Sequence, residues 1–329
     1  MTILCATSAL RWRWRLAQHA QLGLFPSNTA APVIFNLGMG VDSVAMLIGL
    51  WRRAARPDLV IFANTGGEKP ETIAYLDVIN PWLDAVGFPR VHVVTRPVGR
   101  AGYTSLEENC LANETLPSLA FGKKSCSLKW KAETMDHFLL GASRGPNQCA
   151  GWPPVIEAIR NGLKPTKLIG YDAGPRDSRR AVNRIEDEHF VYRYPLREWG
   201  WDRDRCKQEI ASAGLPIPMK SACFFCPASQ EHELQWLAQT HPDLFTRSIA
   251  MEDRARDGRH GLNAVKGLWG RKARTGAAGD GSWRSWAEAH GLHDLMPPKR
   301  AKPSTSKPLR IVEVSDDLGD TIGAPSCPL

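Results

Sequence analysis

Short apolar segments alternate with amphipathic helical segments in the first part of the chain, and this alternation constrains the fold more than any other feature. The predicted strands are residues 32–37, 58–63, 91–95 and 167–170. Strands that alternate with helices of about 10 to 15 residues predict a parallel sheet with helices on both faces. The predicted fold class is therefore α/β.

Ligands bind such sheets at the carboxyl ends of the strands. Three polar, glycine-bearing segments follow predicted strands, namely residues 38–43, 64–69 and 170–180. The first leads a strand into a helix, so its N–H groups lie at the positive end of the helix dipole. We expect a phosphate group there, with Ser43 donating a hydrogen bond and Asp42 holding Mg²⁺. A helix cap beside a packing glycine would produce the same pattern.

Two motifs resemble those of a known family. Asn36-Leu-Gly-Met-Gly-Val-Asp-Ser43 resembles the pyrophosphate-binding loop, Ser-Gly-Gly-x-Asp-Ser, of the PP-loop ATP pyrophosphatase superfamily. Phe62-Ala-Asn-Thr-Gly-Gly-Glu-Lys-Pro-Glu-Thr72 resembles the Asp-Thr-Gly and Pro-Glu-Thr signature of its phosphoadenosine phosphosulfate reductase-like branch. The resemblance covers about residues 32 to 240. The chain departs from the family at Gly38, which replaces a serine, and at Met39, which replaces a glycine.

The resemblance implies an adenine nucleotide alpha hydrolase-like fold that binds ATP and Mg²⁺. It makes Asp42, Ser43 and Arg179 the catalytic candidates, and it lets Asp172 contact Mg²⁺ or substrate. The implied nucleotide-binding residues are Gly38, Met39, Gly40, Val41, Asp42, Ser43, Asn64, Thr65, Gly66, Gly170 and Asp172.

Three functions are consistent with these residues. The first is an ATP-dependent enzyme that adenylates a substrate, releases pyrophosphate, and transfers sulfur or nitrogen to a nucleotide or nucleic-acid acceptor. The second is a sulfonucleotide reductase, although the chain lacks the Glu-Cys-Gly-Leu-His motif of those enzymes. The third is a nucleic-acid-binding protein that keeps the fold without catalysis, which the departures at Gly38 and Met39 permit.

The cysteines form a candidate metal centre. Cys223 and Cys226 have the Cys-x-x-Cys spacing that suits a tetrahedral metal or an iron-sulfur cluster. Cys206 precedes them on a predicted helix, and Cys126 aligns with the cysteine-bearing segment of the iron-sulfur members of the resembling branch. These four residues would complete a site for [4Fe-4S] or Zn²⁺, and the alternative is a set of buried thiols. Because no secretory signal is evident, we expect reduced cysteines and a cytoplasmic protein.

The positive charge is concentrated near the carboxyl terminus. The 329-residue chain has a formal net charge of +8, and residues 254–310 contain 13 basic and 4 acidic side chains. This segment is a candidate nucleic-acid contact, in which Trp269, Trp283 and Trp286 either stack on bases or form a small hydrophobic cap. No membrane span is expected. The predicted domains are a helical extension (1–31), a nucleotide-binding domain (32–200), a helical region with the cysteine pair (201–296) and a flexible tail (297–329).

Metal analysis tests the cysteine prediction. Anaerobically purified protein is expected to contain iron, with broad visible absorption, or zinc without colour. A colourless, fully folded protein without bound metal would contradict the prediction of a metal centre.

Overall fold

The computed structural model describes residues 31–98, 102–123, 125–142, 148–175, 177, 187–258, 267–270 and 281–298. These residues form two compact units that are interleaved along the chain. The first unit lies within residues 31–97, 127–141 and 151–223, and the second within residues 98–126, 142–150 and 224–298. The predicted division into four consecutive segments stays a prediction, and residues 1–30 and 299–329 lie outside the described residues.

The structure gives the bounds of the secondary-structure elements. The strands are β1 (Val33–Asn36), β2 (Leu59–Asn64), β3 (Val91–Thr95), β4 (Thr166–Ile169) and β5 (Val191–Arg193). The helices are α1 (Val41–Arg52), α2 (Pro70–Ala74), α3 (Leu76–Ala85), α4 (Leu106–Ala112), α5 (Glu133–Leu140), α6 (Pro153–Arg160), α7 (Pro195–Glu198), α8 (Arg203–Ser212), α9 (Glu231–Thr240), α10 (Pro242–Asp257) and α11 (Trp283–Ala289). Short helical turns lie at Ser118–Phe121, Ser125–Ser127 and His293–Leu295, and a π-helical stretch at Leu128–Ala132 precedes α5.

The five strands form one parallel sheet in the order β3-β2-β1-β4-β5. The chain moves outward from β1 to β3 on one side and then continues with β4 and β5 on the other. The strand order therefore reverses between β1 and β4, which is the place where open parallel sheets bind ligands. The predicted α/β class is confirmed, and the arrangement is consistent with an adenine nucleotide alpha hydrolase-like fold.

Both faces of the sheet are buried, as the unbroken apolar runs of β1 and β2 predict. Phe35 and Phe62 point to one face, where they pack with α1, α3 and α8. Ile34 and Ile61 point to the opposite face and pack with α5 and α6. Successive strand residues alternate between the faces, so the two cores share the same strands. Among the described helices, none combines the length and the apolar character needed to cross a membrane.

The second unit contains a buried carboxylate, Glu252 of α10. It accepts hydrogen bonds from the N–H groups of Leu268 at 2.8 Å, Trp283 at 2.8 Å and Arg284 at 2.9 Å, and also from the hydroxyl of Ser282. Burial raises the pKa of Glu252, and these hydrogen bonds oppose that rise. The carboxylate thus joins α10 to the segment 267–270 and to the start of α11.

The three tryptophans of the basic segment are buried within the second unit. Trp269, Trp283 and Trp286 are 5%, 0% and 2% exposed. The ring of Trp269 meets those of Trp283 and Trp286 edge-on, with centroids 6.2 and 6.3 Å apart. Of the two alternatives for these tryptophans, they therefore form the hydrophobic cap, and their burial contradicts the alternative that they stack on nucleic-acid bases.

A glycine in the middle of α1 provides a test of the packing. A Cβ atom on Gly49 would lie 2.2 Å from a ring carbon of Trp199. Helix propensity alone predicts that Gly49→Ala stabilises the protein by about 0.5–1 kcal/mol, whereas overpacking costs about 1–3 kcal/mol. We expect Gly49→Ala to lower the free energy of unfolding measured in urea.

The control for this prediction is a double-mutant cycle. Trp199→Leu removes the ring, so the cost of Gly49→Ala should shrink or change sign in that background. A stabilising effect of Gly49→Ala in the parent chain would contradict the observed packing of α1.

Candidate nucleotide-binding site

The turn between β1 and α1 has a defined backbone geometry. Met39 lies in the left-handed region, with φ of 57°, which costs a non-glycine residue about 1 kcal/mol. Its side chain is 1% exposed, and burial of a methionine contributes about 1.5–3 kcal/mol. Burial therefore offsets the strain, which explains how this turn forms with methionine where the resembling loops have glycine.

The start of α1 offers hydrogen-bond donors to an anion. Among the residues that the structure describes, the N–H groups of Met39, Val41 and Asp42 have no hydrogen-bond acceptor. Gly40 donates its N–H to Ser43 Oγ at 3.3 Å, and Ser43 Oγ donates in turn to the carbonyl of Gly40 at 3.0 Å. Adjacent unpaired N–H groups at a helix N-terminus are suited to phosphate.

Gly170 brings the segment after β4 against this helix start. A Cβ atom on Gly170 would lie 3.0 Å from Cα and 3.1 Å from the backbone N of Ser43. A side chain at position 170 would force these two backbones apart by a few tenths of an ångström, so glycine favours their close approach. The predicted residues Ser43 and Gly170 therefore meet at the point where the strand order reverses, and their binding of nucleotide stays a prediction.

Three carboxylates meet beside the turn. Asp42, Asp172 and Asp177 each place one oxygen within 4.8 Å of the others. Asp42 Oδ2 accepts a hydrogen bond from Arg203 at 2.7 Å, and Asp172 Oδ1 accepts one from the N–H of Gly174 at 2.8 Å. Burial raises the pKa of Asp42, Arg203 opposes that rise, and the charges of Asp172 and Asp177 add to it.

The carboxylate cluster has the chemistry of a divalent cation site. Asp42 Oδ1 is buried and has no hydrogen-bond partner among the described residues. Several carboxylate oxygens close together are the ligands that Mg²⁺ prefers, and a cation would relieve the repulsion between Asp42, Asp172 and Asp177. Arg203, whose side chain is 44% exposed, holds one oxygen of Asp42 and would compete with the cation for it.

Sequence reasoning predicted Asp42 and Asp172 but missed Asp177 and Arg203. Asp177 lies within the predicted loop 170–180, so its acidic character was a usable signal. Arg203 is 161 residues from Asp42 in the chain, and no local pattern relates the two. Arg179, the third catalytic candidate, lies outside the described residues.

The segment after β2 has an ordered turn. Gly66, with φ of 72°, donates its N–H to Asn64 Oδ1 at 2.9 Å. Thr65 is buried, and its hydroxyl lies 3.1 Å from Glu68 Oε1 and 3.3 Å from Cys223 Sγ. The Thr65 hydroxyl therefore points to Glu68 and Cys223, and nucleotide contacts from residues 64–66 stay a prediction.

The four candidate cysteines have different environments. Cys223 lies at the carboxyl end of β2, where it forms an antiparallel backbone bridge with Glu68. Cys206 lies in the hydrophobic core of the first unit, and burial raises the pKa of its thiol to about 12. This environment favours a packed neutral thiol at Cys206. Cys126 and Cys226 belong to the second unit, so the four-cysteine centre stays a prediction.

Comparisons with known proteins add a structural neighbour. No protein-family model matches the chain, and no curated protein matches it. Among solved structures, it is similar to the U34-tRNA thiolase NcsA from Methanococcus maripaludis with its [4Fe-4S] cluster, at 13% sequence identity and a TM-score of 0.36. The alignment covers 75% of this chain and 79% of the thiolase.

Cation binding tests the carboxylate cluster. Mn²⁺ replaces Mg²⁺ at oxygen sites and can be followed by electron paramagnetic resonance. Asp42→Asn is expected to weaken Mn²⁺ binding at least tenfold because it removes a charged ligand, whereas Arg203→Gln is expected to strengthen binding several-fold because it removes the competitor.

Asp84→Asn is the matched control, because Asp84 is a half-exposed aspartate whose partner is Arg90. Equal Mn²⁺ affinity in Asp42→Asn and in the parent protein would contradict the assignment of the cluster.

Proposed function

We propose that this protein is an ATP-dependent enzyme of the PP-loop type that adenylates its substrate and releases pyrophosphate. The observation that supports the proposal most is the juxtaposition of unpaired N–H donors at Met39, Val41 and Asp42 with three carboxylates at the switch point of the sheet. A magnesium-bound triphosphate needs both sets of groups at once, because it combines an anion with a divalent cation.

In this proposal the turn 38–43 holds the β- and γ-phosphates. The N–H groups at the start of α1 donate to phosphate oxygens, and the helix dipole favours their charge. Asp42, Asp172 and Asp177 would hold Mg²⁺, which neutralises charge on the phosphates when it is bound. Gly170 keeps the segment after β4 close to α1, so that Asp172 and Asp177 would face the same phosphates as Asp42.

The reaction depends mainly on positioning. A substrate oxygen forms a bond to the α-phosphorus while the bond from that phosphorus to the oxygen bridging the β-phosphate breaks. Pyrophosphate leaves and the substrate carries an adenylate, which a sulfur or nitrogen nucleophile then displaces as AMP. Rigid placement of the phosphates by the turn lowers the barrier by holding the reacting atoms in line.

The acceptor in this proposal is a nucleotide or a nucleic acid, and the transferred atom is sulfur or nitrogen. The position of Cys223 at the carboxyl end of β2 is compatible with a thiol-bound centre at this edge of the sheet. In this proposal a [4Fe-4S] cluster or Zn²⁺ would be held by Cys126, Cys206, Cys223 and Cys226, of which Cys206 lies in the hydrophobic core of the first unit.

Product analysis tests the proposal. With Mg²⁺, ATP and bulk cellular RNA, the protein is expected to release pyrophosphate, and Asp42→Ala is expected to lower the rate at least a hundredfold because it removes a cation ligand beside the phosphates. Asp84→Ala serves as the control and should retain the parent rate.

A parallel reaction with phosphoadenosine phosphosulfate and a thiol reductant tests the alternative function, sulfonucleotide reduction. Release of sulfite from phosphoadenosine phosphosulfate, without release of pyrophosphate from ATP, would contradict adenylation and support sulfonucleotide reduction. Salt-dependent RNA binding without turnover of either nucleotide would favour the non-catalytic alternative.

A further inference from the structure

The segment Ser221–Cys223 lies beside the β1–α1 turn within the first unit. The backbone bridge between Cys223 and Glu68 fixes one end of this segment at the carboxyl end of β2. Thr65 adds a side-chain contact to Cys223, with 3.3 Å between Oγ1 and Sγ. Two residues earlier, Ser221 reaches the turn, where its Oγ would lie 3.2 Å from a Cβ atom placed on Gly40.

Ser221 has an unused hydrogen-bonding group at this position. Within the part of the chain that the structure describes, its hydroxyl has no hydrogen-bond partner. The side chain is partly exposed. The other hydroxyl at the turn, that of Ser43, already donates to the carbonyl of Gly40 at 3.0 Å. The turn therefore has one hydroxyl engaged internally and a second, from Ser221, that is available.

The absence of a side chain at Gly40 leaves room for the hydroxyl of Ser221 beside the turn. A contact of 3.2 Å is tighter than most Cβ contacts, so a side chain at position 40 would require the Ser221 hydroxyl to shift by a few tenths of an ångström. Gly40 is the N-cap of α1 with φ of −111°, a conformation that any residue adopts, so its backbone angles do not require glycine. The close approach of Ser221, and not the backbone conformation, is therefore the observation that bears on glycine at position 40.

We propose that Ser221 is a phosphate-binding residue, and that its hydroxyl donates a hydrogen bond to the same phosphate group that the β1–α1 turn holds. The inference rests on the proposed function for the presence of that phosphate. A terminal phosphate has several oxygens, and the N–H groups at the start of α1 approach it from one side. Ser221 supplies a donor from a segment about 180 residues away in the chain, which local sequence patterns do not reveal.

Equilibrium binding tests this role. The probes are ATP, inorganic pyrophosphate and adenosine, measured by calorimetry on the full chain. A hydrogen bond to a charged group contributes about 1.5–3 kcal/mol, so Ser221→Ala is expected to weaken ATP and pyrophosphate binding about tenfold or more. Ser221→Thr keeps the hydroxyl and should remain within a few-fold of the parent, and adenosine binding should not change with either variant.

Ser212→Ala is the matched control, because Ser212 pairs with Arg52 on the exposed side of α8. Thermal unfolding without ligand checks that each variant folds. Equal affinity for ATP in Ser221→Ala and the parent would overturn the inference, and so would equal losses in Ser221→Ala and Ser221→Thr. Failure of the parent protein to bind either ATP or pyrophosphate is a different result, because it contradicts the proposed function itself.

Discussion

The close approach of Gly170 to Ser43 is the contact on which the rest of the site depends. It brings the segment after β4 against the first turn of α1, on the two sides of the point where the strand order reverses. This approach places the carboxylate of Asp172, which follows β4, beside the unpaired N–H groups at the start of α1 and the carboxylate of Asp42. The position of this site depends on the strand order of the sheet, because β1 and β4 are far apart in the chain but are neighbouring strands.

The charges at this edge support a metal-bound phosphate, and not a simple anion, as the ligand in the proposed function. Three carboxylates repel one another, and burial raises the pKa of Asp42 further. Arg203 relieves part of that cost by pairing with one oxygen of Asp42. Arg256 and Arg284, two arginines of the basic segment near the carboxyl terminus, both pair with Asp253 inside the second unit.

The parts of the structure that follow from local sequence were predictable. Strands β1, β2, β3 and β4 lie within a residue or two of their predicted bounds, because short apolar runs between turns define them. The β1–α1 turn was recognisable from Gly38, Gly40, Asp42 and Ser43 despite the methionine at position 39. Arg203 and Ser221 were not predictable, because each reaches the turn from a distant segment and carries no local signal. The tryptophans of α11 illustrate a misleading local signal. The neighbouring arginines suggested that these side chains could lie on the surface and bind nucleic acid, whereas the structure buries them.

Hydrogen–deuterium exchange with and without magnesium and ATP tests the central claim most directly, because the claim concerns particular backbone N–H groups. These groups are unpaired in the free protein and would become donors to phosphate in the complex. The account predicts slower exchange in peptides covering residues 36–47 when ATP is bound, with no change in α9, which is part of the second unit. Unchanged exchange at residues 36–47 under conditions where ATP binds would contradict it.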